Sequence, residues 1–108
     1  MSFDIDKTVA DMAKAIGAVL TTEWPKIKDC AENVLKKDEK DALADIAKAR
    51  LLGEINDEEL KSELEDEQTT LEAALLVCEI KAKAMVQKAI NSALNVFVEA
   101  INAALKAI

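Results

Sequence analysis

From Glu54 to Ile108 the sequence contains neither glycine nor proline, and the residues around Gly53 spell the end of one helix and the start of another. A stretch that long without a helix breaker, carrying helical periodicity, restricts the chain to long helical segments. Lys48 and Arg50 put positive charge in the last turn of a helix ending at Leu52, beside the negative end of its dipole. Gly53 can take the left-handed conformation that closes such an end. Asn56 then reads as an N-cap with Glu59 three residues on, as in a capping box, and Ile55 and Leu60 occupy the two positions of a hydrophobic staple. The expected fold is all-α, one helical domain over 1–108, with a first half over 5–52, a turn over 53–56 and a second half over 57–108.

In the second half, apolar residues recur at a helical step through Leu60, Leu64, Leu71, Leu75, Cys78, Ala82, Met85, Ala89, Ala93, Val96, Ala100 and Ala104. Leu64, Leu75, Val86, Phe97 and Ile108 repeat every eleven residues, a period that runs nearly straight along a helix. Unbroken, a helix over 57–108 would be about 78 Å long at about 1.5 Å per residue. The first half has a matching stripe through Val9, Met12, Ile16, Leu20, Trp24, Ile27, Ala31, Leu35, Ala42, Ile46 and Ala49, with Pro25 inside it. Two readings fit Pro25: a kink in one helix, or a new helix capped by Thr22 with the proline in its first turn. Because the stripe keeps its phase, a kink or nearly collinear restart is preferred to a sharp reversal.

Both stripes lapse at similar distances from Gly53, in Lys36–Asp41 and in Glu65–Thr70. Antiparallel pairing would set these gaps level as a polar waist, where Lys36, Lys37 and Lys40 meet Glu65, Asp66 and Glu67. Alternatively Asp38 and Thr69 cap separate helices, and the chain is a three- to five-helix monomeric bundle. Cys30 and Cys78 are also level about the turn. A disulfide needs Cα atoms roughly 4.4–6.8 Å apart, whereas helix axes lie about 8–10 Å apart, so the pair is read as two reduced, buried thiols.

From Leu71 onward the polar residues cluster on one side of the helical wheel, leaving an apolar sector wider than one neighbouring helix can cover. The expected remedy is a second chain, a homodimer completing a four-helix bundle. The interface and packing residues on this reading are Trp24, Leu75, Val86, Phe97 and Ile101. A short helical hairpin that pairs into a bundle resembles, in outline, the small secreted proteins with a Trp-x-Gly turn. Here the turn is Leu51-Leu52-Gly53-Glu54 and the only tryptophan is Trp24, so that family's role does not carry over.

Charge narrows the function classes. The net charge is −7, and residues 54–72 hold nine acids and one base. An acidic surplus is the wrong sign for nucleic acid. Glu63, Glu65, Asp66 and Glu67 are the acids expected to face a basic protein partner, with Gly53, Asn56 and Glu59 as the turn and caps that hold them near the hairpin end. Calcium loops need a glycine-bearing turn, and di-metal bundles use Glu-x-x-His motifs; this chain has no histidine and no glycine after Gly53. Its only thiols, Cys30 and Cys78, have no histidine to act as base, and no glycine-rich loop is present to cradle phosphate. The expectation is a noncatalytic structural or adaptor protein without metal or cofactor. The alternative is an amphipathic protein that opens to bind lipid or another hydrophobic surface, although a membrane role is disfavoured. The opening Met1-Ser2-Phe3-Asp4-Ile5-Asp6 lacks a secretory pattern and the longest apolar run is Ala73–Cys78, so the expected location is cytoplasmic.

Overall fold

Asp4 opens the first helix, α1 (Ile5–Val19), by accepting a hydrogen bond from the Lys7 amide at 3.1 Å. The computed structural model describes residues 3–107. Met1 and Ser2 of the N-terminal reading, and Ile108 at the end of the eleven-residue stripe, lie outside them. Helix α1 buries Val9, Met12, Ala13 and Ile16 on one face and ends at Leu20. After a short turn, α2 (Trp24–Asn33) carries Pro25 in its first turn, where a missing amide hydrogen costs no helical bond. The helix then passes through a π-helical turn (Val34–Glu39) directly into α3 (Lys40–Leu51). Helix α4 (Asp57–Leu76) follows the Gly53 turn; an irregular segment and a single 3₁₀ turn (Lys83–Met85) lead to α5 (Val86–Lys106). With α2, the π turn and α3 counted as one continuous helix, the described residues form four helices and no strand.

Two expectations about continuity are corrected. The second half is not one helix, since a rod of about 78 Å does not fit a molecule whose longest extent is 41 Å. It breaks over 77–85 and folds back. Nor does the chain run on collinearly at Pro25. Lys40 of α3 forms an ion pair with Asp6 in the first turn of α1, so the chain reverses over 20–23. Stripe phase reports which face of a helix is apolar; it says nothing about the direction taken after a break. Asp38 and Thr69 cap nothing: Asp38 lies inside the π turn and Thr69 inside α4, where its hydroxyl donates to the Glu65 carbonyl at 3.4 Å.

At the Gly53 turn the end of α3 and the start of α4 are both held by local hydrogen bonds. Gly53 has φ +75°, its amide donates to the Arg50 carbonyl at 3.2 Å, and the Glu54 amide donates to the Ala49 carbonyl at 2.8 Å. This is the paired 5→2 and 6→1 pattern of a Schellman end. Asn56 Oδ1 accepts from the Glu59 amide at 2.8 Å while Glu59 Oε1 accepts from the Asn56 amide at 3.0 Å, completing the capping box. Leu60 is buried and Ile55 packs against the same core.

The fold-back also covers the wide apolar sector. Helix α5 packs most extensively on α1. The Phe3 ring meets Phe97 edge-on at 6.0 Å near one end, and Val19 and Leu20 stand beside Ala82 and Met85 at the other, so the two helices are antiparallel. Leu75, Val86, Phe97 and Ile101 are fully buried within the chain, alongside Met12, Ile16, Leu35, Leu43, Leu71 and Ile90. Each such side chain contributes roughly 1.5–3 kcal/mol relative to exposure. Their burial therefore requires no second chain. Trp24 is half-buried, with its indole lying over Gly17; a Cβ built there would come within 2.7 Å of the ring.

The thiols are likewise not as expected. Cys30 and Cys78 are joined as a disulfide with their Cα atoms 5.7 Å apart. Helix-axis spacing failed as a guide because Cys78 is not in a helix. It lies two residues past the end of α4, where the backbone leaves the helical path and approaches α2.

Candidate functional site

Helix α4 is stabilised at its start by the capping box and by Asp57, Glu58 and Glu59 in its first turn. Leu60, Leu64, Leu71 and Leu75 point into the core, which turns the intervening acids outward. Glu63, Glu65 and Asp66 are exposed, as a partner-facing role requires. On this helix the one ion pair among the described residues is Arg50 with Asp57, at 2.9 Å beside the turn. Glu63, Glu65 and Asp66 form no ion pair among the described residues.

Glu67 departs from the expected group. It is half-buried and faces Glu39 of the π-helical turn. The reason is positional, because 67 is three residues after Leu64 and four before Leu71, on the inward stripe of α4. Glu39 likewise lies four residues after Leu35 and four before Leu43. Both lapses in the apolar stripes are thus places where a carboxyl group points inward. Glu39 was missed by the sequence reading, although its stripe position was visible. The expected lysine–acid waist does not form among the described residues: Lys40 is committed to Asp6, which raises its ammonium above the ordinary range, and Lys36 and Lys37 are exposed.

Beside the acidic face, α4 and α5 leave a groove of about 480 Å³. Leu60, Leu64, Leu94 and Val98 form its floor. Asp57, Lys61, Glu65 and Gln68 line the α4 side, and Asn91, Asn95 and Asn102 line the α5 side. The asparagines thus make up the wet edge of α5, as their position on the polar side of the wheel suggested. An apolar floor between a carboxylate-bearing edge and a row of uncharged amides suits an amphipathic helix with cations along one side.

At the opposite end, Glu23 crosses from the α1–α2 turn to the segment before α5. Its carboxylate accepts hydrogen bonds from the backbone amides of Lys81 and Ala82, the latter at 2.8 Å, and these bonds, the Lys81 one foremost, hold its pKa below the ordinary range. Among the described residues no group of three or more carboxylate or thiol side chains is gathered as metal ligands, and no helix is long and apolar enough to cross a membrane. No family model matches the chain, nor does any curated protein or solved structure.

Proposed function

We propose that this chain is a noncatalytic helical adaptor that receives a basic amphipathic helix along α4, in the groove between α4 and α5. The supporting observation is the exposed carboxylate of Glu65, without an ion pair among the described residues, on the edge of the leucine-floored groove, with Asp57 two turns before it on the same edge. From Asp57 to Gln68 the groove follows α4 for roughly 17 Å at about 1.5 Å per residue, enough for about three turns of a partner helix. Anchors spaced i, i+4 and i+7 would meet Leu60, Leu64 and Leu94, and cations on one flank would face the acids.

A peptide of about fourteen residues, with leucines at that spacing and lysines on one flank, tests the reading by fluorescence anisotropy. Saturable binding is expected, weakened about tenfold by Glu65→Lys, equivalent to about 1.4 kcal/mol. Asp29→Lys on α2, an equal charge change per residue away from the groove, should leave it unchanged. Equal losses from both faces would reduce the interaction to diffuse attraction and end the proposal.

Self-association is a second reading, favoured by Leu76 and Val77, which stand exposed beside the cystine, Val77 at 79%. A homodimer through this patch would give a scattering mass that falls on dilution; a constant monomer mass removes it. The lipid-binding alternative would require α5 to withdraw Phe97 and Ile101 from the core, and no observation favours it. For location, the Cys30–Cys78 cystine supports an oxidising compartment over the cytoplasm expected from sequence.

A further inference from the structure

Glu39 is the one charged side chain fully buried among the described residues, 2% exposed. Its Oε2 has no hydrogen-bond partner among them. It ends a π-helical turn, a form that is rare and frequently sits at functional positions. From α4 it faces Glu67, and Asp38 stands beside it on its own turn. On α1 and α3, Asp6 and Lys40 pair with each other, while Lys36 and Lys37 point to solvent. No Lys or Arg forms an ion pair with Glu39 among the described residues. An isolated buried carboxylate is costly, and two carboxyl groups sharing one site resist ionising together.

We propose that Glu39 and Glu67 form a proton-gated latch: holding one proton between them, they seat α4 against the π-helical turn, and loss of that proton to solvent loosens α4 from it. The protonated Glu39 donates to the Glu67 carboxyl, which converts a repulsive pair into a hydrogen bond across the helix interface. Burial first, and then the Glu67 hydrogen bond and the negative charges of Glu67 and Asp38, push the Glu39 carboxyl up to about 8 from an ordinary 4.5. Between these values the folded chain keeps a proton that the unfolded chain has released. Stability from the latch is therefore fully present below pH 4.5, declines as pH rises, and is lost above about pH 8. The latch is independent of the adaptor reading and concerns the opposite side of α4 from the groove.

The test is a carbon-detected NMR titration of the Glu39 and Glu67 carboxyl groups, with amide exchange of α4 followed in parallel and corrected for the intrinsic pH dependence of exchange. Glu39 is expected to titrate several pH units above a free glutamate, with protection around Leu64 and Leu71 falling at least tenfold through the same midpoint. Glu39→Gln, which keeps a donor and cannot ionise, should retain protection at pH 9 and flatten the melting temperature between pH 6 and 9. Glu67→Gln should lower the Glu39 midpoint by removing the facing charge, and this reading does not depend on how Glu39→Gln folds. A Glu39 midpoint between pH 4 and 5, a midpoint unmoved by Glu67→Gln, or α4 protection that is constant through the Glu39 titration each overturns the latch.

Discussion

The chain reverses at 53–56 and again at 77–85, and the two reversals are held in opposite ways. At 53–56 the hydrogen bonds and the ion pair that hold the turn are all local. Gly53 closes α3, Asn56 and Glu59 cap α4, and Arg50 reaches Asp57 seven residues along. At 77–85 there is no glycine and no proline, and Glu79 takes a left-handed φ of 61° without being glycine. What holds this segment comes from far along the chain: Cys30 bonded to Cys78, and the Glu23 carboxylate on the Lys81 and Ala82 amides. A turn made of neighbours can form before the rest of the molecule folds. A joint made of distant partners exists only once α1 and α2 are in place.

The largest expected effect separates these two modes. Replacing Cys30 and Cys78 together by serine removes a link between residues 48 apart, and should lower stability in urea by about 2–4 kcal/mol. A loss under about 0.5 kcal/mol would mean that packing of Ile80 and Val86 alone fixes the joint. Next comes Gly17→Ala, where the new methyl would fall 2.7 Å from the Trp24 ring at the start of α2. Overpacking of about 1–3 kcal/mol set against a helix-propensity gain of about 1 kcal/mol leaves a net loss of about 0–2 kcal/mol. Thermal melts and a shift in tryptophan emission would report it, whereas a stabilised variant would show that the indole moves aside freely. The local turn comes last. Asn56→Ala removes half of the capping box and should cost about 1 kcal/mol by chemical denaturation, without changing the cystine's accessibility to reductant. If that variant exposed the cystine, the two reversals would be coupled and the contrast between them would fail.

The pattern of what could be read in advance follows the same division. Gly53, Asn56 and Glu59 were legible because caps act over three to five residues, within the range of sequence inspection. Leu75, Val86, Phe97 and Ile101 were legible as buried, but not as buried against α1 of the same chain. Their periodicity describes one helix face and is silent about what covers it. Glu63, Glu65 and Asp66 were correctly turned outward by the leucine stripe, while Glu67 was grouped with them by charge although its position lies on the stripe itself. Glu39 escaped for the same reason. A carboxyl group at a core position looks like a gap in the hydrophobic pattern until its partner on the facing helix is known.

The all-α character, the Gly53 reversal, the acidic face of α4 and the identity of the apolar stripes were determined by the sequence alone, since each depends on propensity, capping or periodicity within a few turns of helix. The breaks at 20–23 and 77–85, the antiparallel seating of α5 on α1, the Cys30–Cys78 bond and the meeting of Glu39 with Glu67 were decided only by the tertiary structure. In each of these the deciding contact joins residues dozens of positions apart. Burying a wide apolar sector is required by the hydrophobic effect, but whether a second chain or the same chain folded back supplies the cover depends on geometry that no local pattern carries.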